Sequence, residues 1–204
     1  MKKLIFIIIG IAILFLCSTC RQEHVAPVNQ LVKDLFCFKT GSEWTYYDSV
    51  SQTTQKMRVT NYEILKFAPE SKGGRGKVYD YAESIHIDFS VENTTLSLSN
   101  KCRTWVKADI DNDNTLNGMY ISTPVIDNTL RCKEFSLHCD KNNNFTPFAT
   151  YLNTYTVNGT TYSDVYEFNY KDGATYYVSK HVGFIRCVEN NYFDLVLIDK
   201  NVQQ

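Results

Sequence analysis

The chain reads as an all-β protein: an antiparallel meander forming an open barrel or two-layer sandwich, with at most one or two short helices. Three observations carry that expectation. Apolar and polar residues alternate at a period of two through several segments, as strands with one wet face require. Asn-Gly and Asp-Gly pairs punctuate the C-terminal third at hairpin spacing. Tyr and Phe are abundant, 14 and 12 of 204 residues, and both suit half-buried positions on a pleated surface.

Taken in chain order, residues 28–38 have room for one short helix, with apolar Leu31, Val32, Leu35 and Phe36; no sustained 3.6 period follows. Trp44 and Tyr46 then face one way, Thr45 and Tyr47 the other. Met57 and Val59 resume after a polar turn at 49–55. Ile85, Ile87, Phe89 and Val91 alternate with Ser84, His86, Asp88 and Ser90, and Leu96 and Leu98 repeat the pattern after a Glu92-Asn93 turn. Phe135 and Leu137 alternate with Glu134 and Ser136. Asn158-Gly159 separates 151–157 from 160–166, Asp172-Gly173 separates 165–170 from 175–178, and Asn190-Asn191 separates 183–188 from 193–198. Gly and Asn supply the positive φ angles of type I′ turns, so these segments form a meander. The last, Phe193 to Ile198, is apolar on both faces past Asp194, which predicts a central or doubly covered strand.

The N-terminus is a leader. Lys2 and Lys3 precede an apolar run at 4–16, too short for the roughly 20 residues that span a bilayer. Cys17-Ser18-Thr19-Cys20 follows, and the small Ser18 and Thr19 ahead of Cys20 resemble the box cut by lipoprotein signal peptidase, with Cys17 where Leu is commoner. The expected division is a signal peptide at 1–19, a lipidated tether at 20–30 that begins with Cys20, and one β domain at 31–204. An uncleaved anchor and plain secretion are the competing readings. The chain is placed in a bacterial cell envelope, lipid-anchored at the outer membrane, on a face the sequence does not choose.

Charge excludes some partners. The whole chain carries 21 Lys+Arg against 22 Asp+Glu, with none of the basic excess of a nucleic-acid binder. Removing the leader removes two lysines, so the mature body is mildly acidic and has no electrostatic pull toward anionic lipid. Cys37, Cys102, Cys132, Cys139 and Cys187 remain after Cys20. The compartment permits disulfides, but five cysteines cannot all pair, and the pairing is left open. No Cys-x-x-Cys is present.

Two segments together carry a resemblance. Phe36-Cys37-Phe38-Lys39-Thr40-Gly41-Ser42-Glu43-Trp44-Thr45-Tyr46 stands near the start. Val182-Gly183-Phe184-Ile185-Arg186 and Phe193-Asp194-Leu195-Val196-Leu197 stand near the end. The chain resembles a group of Bacteroides-type lipoproteins with a Gly-x-x-Trp-x-Tyr segment after the tether and an apolar last strand, departing from them at Cys37, where Pro is usual. The resemblance implies an all-β domain on a lipid anchor and transfers no catalytic residue. Asp48-Ser49-Val50 also resembles the O-glycan acceptor triplet of such bacteria.

Candidate chemistry is sparse. Asp109, Asp111 and Asp113 alternate as carboxylates around a hard cation would. An EF-hand loop, however, wants Gly and Glu where Asn114 and Tyr120 stand, so no tight calcium site is expected. Asp140, Asn142 and Asn144 repeat the spacing less well, and Asx residues also build loops by bonding their own backbone. Ser71 to Lys77 lacks the leading Gly of a phosphate loop and has Val78 where its Ser or Thr would be. His86 with Asp88 could do acid–base work, but no nucleophile with a motif joins them. Tyrosines on strands could stack on sugars or simply fill β positions. The expected function is therefore non-enzymatic: a protein, apolar or glycan ligand held by the sheet, with membrane contact through the lipid, no cofactor and no nucleic acid. The alternative is an envelope hydrolase that uses His86.

Overall fold

The computed structural model describes residues 23–68, 80–93, 96–110, 116–126, 132–146, 149–170, 173–189 and 192–204. Strand β1 (Val25–Ala26) and helix α1 (Gln30–Phe36) come first. The strands β2 (Glu43–Asp48), β3 (Thr53–Phe67), β4 (Tyr81–Asn93), β5 (Leu98–Ile110), β6 (Leu116–Ile126), β7 (Cys132–Asp140) and β8 (Phe145–Thr146) follow. The second meander is β9 (Ala149–Val157), β10 (Thr160–Asn169), β11 (Ala174–Ser179), β12 (Gly183–Glu189) and β13 (Phe193–Asn201).

The thirteen strands among the described residues belong to one sheet. Each pairs antiparallel with its sequence neighbours along β2 to β8 and along β9 to β13, and β13 pairs with β2. The two meanders are thus joined through the ends of the domain, and the sheet's free edges fall in mid-chain, at β8 and β9. The sheet curls so that these ends pack across each other without a ladder: Phe145 lies 5.3 Å from Phe168 and 5.6 Å from Tyr166. The Tyr170 hydroxyl donates to Ser136 O at 2.9 Å. The expected all-β architecture, an open barrel or sandwich with one short helix, is what forms.

The helix lies inside the curl. Asn29 caps it, its side-chain oxygen accepting from Val32 N at 2.8 Å, which satisfies one of the first-turn donors a helix leaves unpaired. Val32, Leu35 and Phe36 are buried. Phe36 meets Phe135, Phe168 and Phe184 at centroid distances of 6.4, 6.4 and 6.1 Å, so one short helix fills the space between the two halves of the sheet. Beside it Phe38 packs edge-on to Trp44 at 5.0 Å. The β12–β13 ladder runs only from Arg186 to Glu189. Beyond it, Trp44 Nε1–H donates to Val182 O at 2.6 Å and the Tyr46 hydroxyl to Phe184 O at 3.0 Å. The two aromatics buried from β2 thereby satisfy carbonyls that the ladder leaves behind.

Several expectations are corrected. Residues 23–30 are not a free tether. His24 O accepts from Asp80 N, β1 pairs in parallel with β4, Ala26 and Val28 are buried, and Glu83 accepts from Val28 N at 2.6 Å and Lys33 Nζ at 3.1 Å. A polar sequence with one Pro looked like linker, but its alternate apolar residues had the first residues of β4 to join, before the β4–β5 ladder begins at Ser84. The β2–β3 turn ends at Gln52 rather than 55, with Gln55 buried inside β3. Leu96 is exposed in a turn, not in a strand. The β10–β11 hairpin forms with a longer connection than a two-residue turn: Tyr170 N donates to Ala174 O, Gly173 N to Tyr170 O, and Gly173 has φ +87. Beyond Leu98, strand β5 escaped notice because its buried residues are Cys102, Thr104, Val106 and Ala108, too small and polar to stand out as a stripe. Cys102 is disulfide-bonded, whereas Cys37, Cys139 and Cys187 are buried free thiols.

Candidate functional site

Beside α1 a void of about 20 Å³ is lined by Leu35, Phe38, Trp44, Met57 and Phe89 among others, room for about one water-sized sphere. The larger concavity is outside. A groove of about 400 Å³ lies on the outer face of the sheet, between Tyr47, Arg186, Val196 and Ile198 on one side and Thr156, Val157 and Asn158 on the other, with Ser49 at one end.

Local sequence explains the groove. Hairpin β9–β10 turns at Asn158 (φ +48) and Gly159 (φ +74), the positive pair a type I′ turn needs. Farther down, Ser163 pairs with Thr154 and Val165 with Leu152, and between them Asp164 sits at φ +52. That left-handed residue bends the strand. Its carbonyl accepts from Lys180 N at 3.2 Å and its carboxylate from the Tyr151 hydroxyl at 2.7 Å, contacts that hold the bend. Past it the hairpin folds over the outer face: Tyr155 stacks on Tyr177 at 4.2 Å and 14°, although the ladders place Tyr177 opposite Glu167 and Tyr155 opposite Tyr162. The tip thereby becomes a wall above β12, β13 and β2.

Arg186 is the charged group of the groove, and it is fixed in place. Its Nε and Nη2 donate to the two carboxylate oxygens of Asp194, each at 2.9 Å, and its Nη1 to the Tyr155 hydroxyl at 3.0 Å. Donating to the Asp194 carboxylate, the guanidinium holds its proton more tightly than usual. A guanidinium has five donors, so three bonds leave two for a ligand. Asp194 N in turn donates to the buried carboxylate of Asp48 at 3.0 Å. Burial, followed by the neighbouring Glu167, raises the Tyr177 hydroxyl above its ordinary value, so Tyr177 stays protonated at physiological pH. Tyr47 and Ile198 are 38% and 45% exposed. The groove therefore combines an apolar floor, an aromatic ring, a positioned cation and polar edges. The sequence had flagged Tyr47 and the apolar outer side of the last strand, but took Val196 and Ile198 as covered. Arg186 stood in a segment of the resemblance and Asn158-Gly159 marked the hairpin, but nothing in the sequence joined them into a site.

The other candidates lie apart. His86 stacks on Phe67 at 6.1 Å, opposite Glu63 and Trp105 in the ladders. Asp88 is taken by Arg103 Nε at 2.6 Å, whose hydrogen bond lowers the carboxyl's pKa, so the envisaged His–Asp pair does not form a directed couple. Asp109 comes within 3.7 Å of His138; Asp111, Asp113, the Ser71–Lys77 stretch and Cys20 fall outside the described residues. No group of three or more metal-ligating side chains occurs among the described residues. Asp140 closes its own loop, its carboxylate accepting from Asn142 N at 2.7 Å, Asn144 N at 2.9 Å and Asn144 Nδ2 at 3.0 Å, as a loop-forming Asx does. Asp48 is likewise occupied at its turn, while Ser49 beside it is exposed. No family model, curated protein or solved structure matches this chain.

Proposed function

We propose that the chain is a lipid-anchored protein of a bacterial envelope whose β domain binds a saccharide in the groove between Tyr47 and Arg186, without chemistry of its own. The observation that carries this reading is the open outer groove, where an exposed Tyr47 ring stands with a positioned guanidinium. Saccharides present an apolar face ringed by hydroxyls; an exposed Tyr ring serves the first, and Arg186, Asn158 and Ser49 the second. The anchor reading rests on the short leader and Cys20 with Ser18 and Thr19 before it. Acyl chains contribute about 0.8 kcal/mol per buried CH₂, and more than one chain gives stable attachment.

Two measurements test the two halves. Mass spectrometry of the mature N-terminus should find a diacylated or triacylated Cys20; an intact Met1, or an unmodified terminus beyond Cys20, rejects the anchor. A glycan array should show retention that drops at least about tenfold in Tyr47→Ala, equivalent to about 1.4 kcal/mol, with an unchanged thermal midpoint. A wild type that retains no glycan, or a variant that binds equally well, rejects the groove.

A further inference from the structure

We infer that the outer face of β3, β4 and β5 around Phe67, His86 and Trp105 rests directly on the bilayer surface. This rests on the proposed membrane attachment and adds an orientation to it. The described chain starts against the far end of β3. Glu23 pairs with Lys66 Nζ at 2.8 Å, and His24 O accepts from Asp80 N at 2.7 Å and from Tyr81 N at 3.2 Å. Cys20 is three residues before Glu23, and three extended residues reach about 10 Å. Whatever is attached there is held close to the far end of β3, one residue from Phe67.

At that end the sheet shows water a surface it would elsewhere bury. Phe67 is 40% exposed and Trp105 37%. His86 joins them, stacked on Phe67 and directly opposite Trp105 in the ladder. Lys107 Nζ lies 5.8 Å from the centre of the Phe67 ring, a cation set beside aromatics as at the membrane–water boundary. Lys66 is engaged by Glu23. The occupant is therefore the interfacial zone of a lipid layer, met by rings rather than by net positive charge, and it needs no anionic lipid. The ligand groove stays clear: Tyr47 pairs with Thr54, and from Thr54 to Phe67 runs about 40 Å of strand.

The two tryptophans make the test direct, because Trp44 is buried at 1% exposure and Trp105 is not. The lipidated full-length protein is reconstituted in phosphatidylcholine vesicles with or without brominated acyl chains. Brominated lipid should quench part of the emission, the quenched part should vanish in Trp105→Phe, and acrylamide access to Trp105 should fall about twofold on reconstitution, as for an interfacial ring. Phe67→Glu should restore acrylamide access while the protein still floats with the vesicles. Protein that floats but shows no bromolipid quenching and unchanged acrylamide access overturns the docking alone. Protein that stays in the supernatant, with no lipid on Cys20, overturns the docking and the anchor together.

Discussion

Burial decides what the ionisable side chains can do. Cys37 is pushed up to about 12 from an ordinary 9.0 by burial, Cys139 to about 11 by burial, and Tyr62 to about 12 from 10.0, again chiefly by burial. Each keeps its proton more tightly folded than unfolded. Their contribution to stability is therefore complete below about pH 9 and is lost as pH climbs through about 9 to 12. Denaturant midpoints should hold steady from about pH 7 to 8.5 and fall steadily above about 9; a midpoint that rises there would contradict the burial of these groups. The same residues show what single positions disclosed in the sequence. Cys37, Cys139 and Cys187 read as small buried apolar groups or as half-cystines, and their free state depended on which strands came to lie side by side. Tyr47 and Tyr46 are neighbours of one type, and only the alternation of faces made one a core residue and the other a groove residue.

Turns and ladders separate into positions where glycine is a conformational need and one where it is a need for space. Gly159 lies at φ +74 with nothing within 4 Å of a built Cβ, whereas a Cβ on Gly118 would stand 2.3 Å from Cys139 O and 2.7 Å from His138 Nε2. Gly159→Ala should cost only the left-handed penalty, about 1 kcal/mol. Gly118→Ala forces β6 and β7 apart and should cost about 3 kcal/mol. Equilibrium unfolding of both variants checks the order, and equal losses would refute it. The Asn158-Gly159 hairpin was legible because its turn chemistry is local. The bend at Asp164 was not, since Asp is an ordinary strand-edge residue until Lys180 and Tyr151 supply its partners. That bend lays the hairpin tip over the outer face, so the groove wall escaped the sequence for the same reason.

The whole molecule depends on two closures that involve residues far apart in the chain. The β13–β2 ladder, from Leu195 with Asp48 to Asn201 with Glu43, unites the two meanders. Phe36 fills the space between them. A sheet so joined should unfold as a unit, with Trp44 emission and far-ultraviolet dichroism sharing one midpoint. Phe36→Ala should lower stability by about 3–5 kcal/mol through the cavity it opens, again in a single transition. Two separated midpoints in the wild type would show that the meanders are independent.

By itself the sequence determined the class of the protein. Period-two alternation and Asn-Gly or Asp-Gly turns specify antiparallel strands, because both act within a few residues. Which face of each strand is wet was equally readable wherever large apolar residues marked it, as at Ile85 to Val91 and Phe135 to Leu137. Only the tertiary structure decided where the sheet opens, that residues 23–30 join it, and that Val196 and Ile198 line a groove instead of a core. These outcomes depend on pairings between segments distant in sequence and on how a coiled sheet meets its own ends. An alternating pattern fixes the face a side chain occupies, but carries no information about what will lie against that face.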